Sequence, residues 1–124
     1  MSIITLVQYF GLPARHNGDG TYTLFPSEGT SREATAAEIL AATKAARIAA
    51  NRGDCSSRIY ARYPAGRQSS VALGVYSGPE AEAQAQIMKD WISGMVAAEN
   101  AAADLIEAAT TVQAVEAVTV AWPV

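Results

Sequence analysis

The longest helical pattern in the chain lies at residues 77–110, which read SGPEAEAQAQIMKDWISGMVAAENAAADLIEAAT. Ser77 is a favoured N-cap residue, Pro79 suits the first helical turn, and Glu80 follows the serine by three positions. The stretch predicts a helix from Pro79 to Ala109, about 46 Å long at 1.5 Å per residue. Because that length exceeds what one small globule covers, we expect an antiparallel neighbour helix or a bundle. The residues expected on its apolar face, at three- and four-residue steps, are Ile87, Trp91, Met95, Ala98, Ala102, Leu105 and Ala109.

A second helical pattern starts at Thr35. The Thr35 hydroxyl and the Glu38 carboxylate have the spacing of a capping box, in which each side chain hydrogen-bonds the other residue's backbone amide. The sequence AAEILAATKAARIAANRGDCSSRIYARY that follows is helical in character, with Ile39, Ala42, Ala46 and Ala49 on one face. Gly53-Asp54 leaves two alternatives open: one helix weakened by about 1 kcal/mol at the glycine, or two helices with a new cap at Asp54.

Proline and threonine mark the ends of the remaining helices. Pro64 closes the second pattern, because proline disfavours helical geometry in the residue before it. Residues 64–76 favour a short helix starting at Pro64, although alternating apolar residues leave a strand at 71–76 open. Thr110 or Thr111 is expected to cap a last short helix through Val118. The final residues, TVAWPV, are expected to be an extended tail.

The first thirty residues have strand character. Ser2–Phe10 is rich in β-branched and aromatic residues, and Gly20–Phe25 alternates polar and apolar residues. We therefore expect a β-hairpin or strand arm at residues 1–30 and a helical domain at 31–124. The predicted fold class is mainly α, with that N-terminal arm followed by an alanine-rich helical hairpin or bundle.

The stretch ARHNGDGTYTLFP, at residues 14–26, raises the question of a calcium-binding loop. With Gly20 at the sixth loop position, the first position falls on Arg15 and the twelfth on Pro26, where such loops carry Asp and Glu. The flanks also read as strands, whereas that loop needs helices. Asn-Gly and Asp-Gly instead suit the positive φ angles of hairpin turns. We therefore predict a turn and no metal site.

Composition points to assembly. Alanine makes up about a fifth of the 124 residues, and only 7% are aromatic. Alanine favours helices but adds little buried area, so such helices usually gain burial from one another or from a partner chain. The net charge of −3 and the pI near 5.0 argue against nucleic-acid binding, which needs clustered basic residues. No signal peptide is recognisable and no apolar run reaches the roughly 18 residues of a membrane helix, so we expect no membrane insertion.

No catalytic constellation is expected. Cys55 and His16 are the only residues of their types, and the serines come as polar doublets. Gly74, Gly78 and Gly94 do not have the spacing of a nucleotide-binding loop. We therefore predict no catalytic, metal or cofactor site. The alternative of a small enzyme would need a pocket centred on His16 or on an acidic residue such as Glu99.

Bulky apolar residues are the candidate interface. Trp91, with Met88, Ile92 and Met95, has the spacing of a core stripe or an oligomer seam. The N-terminal arm could add a strand to a partner's sheet, and Trp122 could anchor the tail to its own bundle or to another chain. The predicted interface residues are Ile3, Leu6, Tyr9, Phe10, Tyr22, Phe25, Ile87, Trp91, Met95, Leu105 and Trp122.

From Ala45 onward the chain resembles small helical proteins and domains encoded beside the tail-fibre genes of tailed bacteriophages. The segments that carry the likeness are RIYARYP at 58–64, MKDWISGMVAAENAAADLIEAATTVQAVEAVTVAWP at 88–123, and the lead-in DGTYTLFP at 19–26 followed by TAAEIL. The resemblance implies a virion component near the fibre or baseplate, or a fibre-assembly chaperone. It also implies other tail proteins as partners and assembly in the host cytoplasm into the virion tail, and the alanine-rich helices lead us to expect a homo-oligomer. It supplies no catalytic residues.

Overall fold

The computed structural model describes residues 6–75 and 77–124. The predicted strand residues 2–5, the predicted interface residue Ile3 and Tyr76 lie outside the described residues. The fold class predicted from the sequence is confirmed: four helices follow a small antiparallel sheet near the N-terminus.

The sheet has three short strands in the order β1-β2-β3: β1 is Ala14–His16, β2 is Tyr22–Leu24 and β3 is Arg32–Glu33. Both pairs are antiparallel, with Ala14 opposite Leu24 in the first pair and Leu24 opposite Arg32 in the second. The predicted strand at Ser2–Phe10 is wrong in its described part, where Val7–Tyr9 is a 3-10 helix. The reason is that the residues directly before a short turn pair with those directly after it. Ala14–His16 therefore pairs with β2, and residues 7–9 do not.

The predicted hairpin turn is confirmed between β1 and β2. Gly18 and Gly20 have φ angles of +87° and +85°, which residues with a Cβ rarely adopt. The backbone N–H of Asn17 donates to the Thr21 carbonyl at 3.0 Å. Asp19 Oδ1 accepts from the Thr21 hydroxyl and, at 3.1 Å, from the Thr21 amide. The side-chain hydrogen bond first, and then the backbone bond, lower the pKa of Asp19. The polar loop residues thus hold the turn together.

Helix α1 spans Ala36–Arg62 without interruption. The capping box is formed as predicted: the Glu38 amide donates to Thr35 Oγ1 at 3.2 Å, and the Thr35 amide donates to Glu38 Oε1 at 3.0 Å. The Arg32 guanidinium donates two hydrogen bonds to the Glu38 carboxylate, from Nη1 to Oε1 at 2.6 Å and from Nη2 to Oε2 at 2.8 Å. Of the two alternatives at Gly53, the structure has the single helix, which ends just before Tyr63-Pro64.

The later helices begin and end close to the predicted residues. Helix α2 is Ala65–Ala72, and Leu73–Val75 leaves the helix in a turn, so no described residue of the 71–76 segment is a strand. Helix α3 is Pro79–Ala108, and its cap position is Gly78 rather than the predicted Ser77 because Pro79 is its first residue. Helix α4 is Val112–Ala117, with Thr111 Oγ1 accepting from the Ala114 amide at 3.1 Å. Residues 118–124 have no regular secondary structure, as predicted for the tail.

The chain divides into two compact units that both contain parts of α1 and α3. Unit 1 comprises the described residues up to Ala50 together with Asp104–Thr119; unit 2 comprises Asn51–Ala103 and Val120–Val124. The division predicted from the sequence, into an arm at 1–30 and a helical domain at 31–124, is a different one and stays a prediction.

Unit 1 combines the sheet, the first half of α1, the end of α3 and α4. Lys44 Nζ donates to the Glu107 carbonyl at 2.7 Å, which satisfies a free acceptor at the end of α3. Arg47 Nη2 donates to the Val118 carbonyl at 3.2 Å. The buried residues of unit 1 are Leu24, Ala34, Ala42, Thr43, Ala46, Ile106 and Val115.

Unit 2 is built on two antiparallel helical segments. Arg52 of α1 pairs with Glu99 of α3 at 3.2 Å, and Tyr63, just beyond α1, lies 5.7 Å from Trp91, ring centre to ring centre. Contacts therefore move backwards along α3 as α1 advances, as expected for an antiparallel pair. The buried residues of unit 2 are Cys55, Ile59, Met88, Met95, Glu99 and Ala102.

The apolar face predicted for α3 is partly wrong. Met95 and Ala102 are buried as predicted, whereas Ile87 is 51% exposed and its neighbour Met88, which the predicted face does not include, is buried. The true inner face of the unit 2 segment holds Met88, Met95, Glu99 and Ala102, which also recur at steps of three, four and seven. One residue turns a helix by about 100°, so Met88 can be buried while the adjacent Ile87, where the predicted pattern begins, points away from the buried face. On α1, the predicted face is right at Ala42 and Ala46, which are buried, and wrong at Ala49, which is exposed.

Candidate protein-protein interface

A groove in unit 2 receives the C-terminal tail, and we call it the tail groove. Its floor is the core cluster of Cys55 and Ile59 from α1 and Met95 from α3, with Trp91 and Ile92 packed alongside. Trp122 packs against the same cluster. The tail is therefore anchored on its own unit, which is one of the two alternatives left open for Trp122 by the sequence.

Two arginines on successive turns of α1 hold the aromatic rings of this region. The Arg58 guanidinium carbon lies 5.0 Å from the centre of the Trp122 ring, and Arg58 Nε also donates to Asp54 Oδ1 at 2.9 Å. Arg62 lies 4.5 Å from the Trp91 ring centre and 5.7 Å from that of Tyr63. A guanidinium over an aromatic face is attracted by the ring's negative charge and also covers it from water. The pair thus forms one cationic side of the tail groove.

Gly94 forms the other side. A methyl group at Gly94 would lie 3.3 Å from Cγ of Pro123, which is closer than side-chain atoms normally approach. The φ angle of Gly94 is not positive, so backbone conformation does not require glycine here. Glycine in a helix interior costs about 1 kcal/mol relative to alanine. The close approach of Pro123 is what the missing side chain allows.

Unit 2 also buries two ionisable side chains, Glu99 and Cys55. Glu99 is buried and accepts from Arg52 Nε, whose side chain is largely exposed. Burial raises the pKa of the Cys55 thiol, and the negative charges of Glu99 and Asp54 raise it further. A thiol with a raised pKa is a weak nucleophile. Cys55 is therefore a core residue of unit 2 with a thiol that stays protonated.

Unit 1 carries a second groove, which we call the alanine groove. It lies between the end of α3 and α4 and has a volume of about 440 Å³. Leu105, at its edge, is 61% exposed. Since small side chains form most of its walls, the groove is open and mostly apolar. Its lining residues are Leu105, Ala108, Ala109, Ala114, Ala117, Val118 and Thr119.

A third cleft, of about 360 Å³, lies in unit 2 between α2 and the first turns of α3. Its lining is half apolar and half polar, and the residues are Val71, Ala81, Ala85 and Met88 together with Arg67, Ser77, Glu80 and Gln84. Next to it in the chain, Leu73 is 81% exposed.

The predicted interface residues fall into three groups in the described structure. Phe25, Ile87 and Leu105 are exposed, and Met95 is a core residue of unit 2. The half-buried group contains Leu6, Tyr9, Phe10, Tyr22, Trp91 and Trp122. Phe10 and Tyr22 contact each other, with ring centres 5.1 Å apart. The structure brings Trp91, Met95 and Trp122 together, but as parts of one internal cluster.

The sequence reasoning missed Arg58, Arg62 and Gly94. Arg58 and Arg62 are four residues apart, which places them on one side of a helix, and that spacing was available as a signal. Gly94 stands alone in a helix of 30 residues, and a mid-helix glycine often marks a close approach. What the sequence does not supply is the partner of each, because Trp122 and Pro123 lie far along the chain.

The residues of the enzymatic alternative occupy ordinary positions. His16 is exposed on β1, with its ring centre 4.9 Å from that of Tyr22. The Glu99 carboxylate accepts a hydrogen bond from Arg52 Nε at 3.2 Å. Within residues 6–75 and 77–124, no group of three or more His, Cys, Asp or Glu side chains is arranged to hold a metal ion. Each helix of the described structure is too short or too polar to cross a membrane.

Comparison of the chain with protein-family models, with curated proteins and with solved structures finds no match.

Proposed function

We propose that this chain is a non-catalytic structural protein of a bacteriophage tail, located at the fibre or baseplate, where it docks onto other tail proteins. The observation that carries the docking role is the alanine groove with the exposed Leu105 at its edge. The phage assignment is supported by the resemblance carried by residues 58–64 and 88–123. A homo-oligomer and partners among the other tail proteins are part of the proposal.

The alanine groove fits a bulky apolar side chain from a partner. Alanine methyl groups leave a shallow, open and mostly apolar depression here, which an aliphatic or aromatic side chain of a partner could cover. Covering the exposed part of Leu105 would contribute roughly 1–2 kcal/mol at 25 cal/mol per Å².

The sheet offers a second docking element. In the order β1-β2-β3, both β1 and β3 are edge strands. Edge strands carry backbone groups that a partner strand can pair with. Each is only two or three residues long, so strand addition would set the orientation of a partner while the apolar contacts provide most of the affinity.

Mass spectrometry of purified particles of the encoding phage tests the location. A structural protein is expected in stoichiometric amounts relative to other tail proteins. Detection in infected cells but not in purified particles would contradict the proposal and favour the fibre-assembly chaperone.

A surface variant tests the docking role of the alanine groove. Leu105→Glu is expected to abolish association of the purified chain with itself or with the neighbouring tail protein, because a carboxylate would be buried at the contact. Gln113→Glu, also exposed on unit 1 but not a groove residue, adds the same charge and should leave association unchanged. Light scattering measures both. Equal behaviour of the two variants would refute a docking role for this groove.

A further inference from the structure

We propose that the tail groove of one copy also accepts the Trp122-Pro123 pair of a second copy, so that the tail is an exchangeable link between chains. The idea rests on the proposed function only in that an assembly brings copies close together. Its physical basis lies in unit 2 alone.

The tail groove recognises specific side chains. Trp122 packs on the Cys55, Ile59 and Met95 cluster with Arg58 over its ring, and Pro123 fills the space left by Gly94. A site shaped for a tryptophan followed by a proline does not distinguish the chain's own tail from an identical one. Any copy therefore carries both the ligand and its receptor.

The tail is held by few bonds and can leave. No backbone–backbone hydrogen bond joins residues 119–124 to another described part of the chain. One side-chain bond reaches its end, from Arg62 Nη1 to the Val124 carbonyl at 3.5 Å. Before it, Arg47 holds the Val118 carbonyl, which fixes where the exchangeable segment begins. A segment held mainly by the packing of Trp122 and Pro123 opens at much lower cost than a helix or a paired strand, in which backbone hydrogen bonds must also break.

Concentration decides which tail occupies the groove. A ligand on a short tether has an effective concentration on the order of 1 mM. In dilute solution each groove is therefore filled by its own tail. Where copies are packed at comparable local concentrations, exchange becomes competitive, and each exchanged tail joins two chains without any new surface.

A peptide binding assay on the full-length chain tests this. The probe is a fluorescent peptide with the sequence of Val118–Val124, amidated so that it brings no extra carboxylate to Arg62. Trp122→Ala in the chain weakens its own tail and leaves the groove intact, so it should bind the probe at least tenfold more tightly than the wild type. Adding Gly94→Ala to that variant obstructs the proline position and should remove most of the gain. A peptide with alanine in place of tryptophan should not bind to any of them.

Several results would overturn the proposal. These are equal affinity of wild type and Trp122→Ala, equal binding of the two peptides, or no effect of the added Gly94→Ala. Should circular dichroism show that Trp122→Ala is unfolded, Pro123→Ala serves instead, with a severalfold gain expected and no gain refuting exchange. Because peptide affinity does not depend on the virion, failure here leaves the particle composition test standing, and the reverse also holds.

Discussion

The inner face of α3 in unit 2 can be tested by removing one side chain. Met95 is 1% exposed and belongs to the cluster with Cys55 and Ile59. Met95→Ala deletes Cγ, Sδ and Cε, and at about 0.8 kcal/mol for each buried group the transfer term is about 2.4 kcal/mol. The unfilled cavity adds to this, so we expect a loss of about 3 kcal/mol, within the range for such truncations of roughly 2–5 kcal/mol.

Urea denaturation followed by circular dichroism measures the effect. With a slope near 1.5 kcal/mol per molar urea, a loss of about 3 kcal/mol lowers the midpoint by roughly 2 M. Ile87→Ala is the matched control, because it lies on the same helix, also truncates a large apolar residue, and is 51% exposed. Alanine has the better helix propensity, so the control should lose no more than about 1 kcal/mol.

Two results would refute the assignment of this face. If Ile87→Ala costs as much as Met95→Ala, Ile87 is buried as the sequence predicts, and its exposed position in the structure is refuted. If the loss for Met95→Ala shrinks as the protein is diluted, Met95 lies in a contact between copies, since the stabilisation that association gives the wild type disappears on dilution.

Two further predictions concern α1. Gly53→Ala should raise the free energy of unfolding by about 1 kcal/mol, because the glycine is inside a continuous helix and an added methyl would meet nothing within 4 Å; a lower thermal midpoint would contradict this. Hydrogen bonds from Arg32 and then from the Thr35 amide lower the pKa of Glu38 from 4.5 to about 2 in the folded chain. Its stabilising contribution is therefore present above pH 4.5 and lost as the pH falls through 2. The difference in thermal midpoint between wild type and Glu38→Gln should shrink between pH 7 and pH 2, and a difference independent of pH would refute the linkage.

The helix boundaries could be predicted because capping is local chemistry. Thr35 and Glu38 are three residues apart, and Thr111 reaches an amide three residues later, so each signal and its partner lie within one turn. Pro64 and Pro79 act on their immediate neighbours. The hairpin turn followed from two glycines for the same reason. All of these depend on residues close in sequence, where pattern and structure coincide.

The buried face of α3 and the tail groove could not be predicted in the same way. Ile87 and Met88 are adjacent, and both start apolar series along the helix. Which series is buried depends on where α1 lies, and an alanine-rich partner accepts either because its surface is nearly uniform. The strand predicted at Ser2–Phe10 was wrong for a related reason. Strand propensity does not determine which residues pair, and the turn at residues 17–21 pairs β1 with β2 instead.

The scarcity of large side chains explains why the tail matters. Only two tryptophans occur in the chain, and both contact the same cluster in unit 2. The helices themselves contribute Cys55, Ile59 and Met95 to that cluster, which is little apolar volume for a helical pair. Trp122 therefore provides bulk that the alanine-rich helices lack, and it arrives on a segment without secondary structure of its own. A core completed by a loosely held segment is more stable while a tail occupies the groove, and an identical tail from a second copy supplies the same side chains.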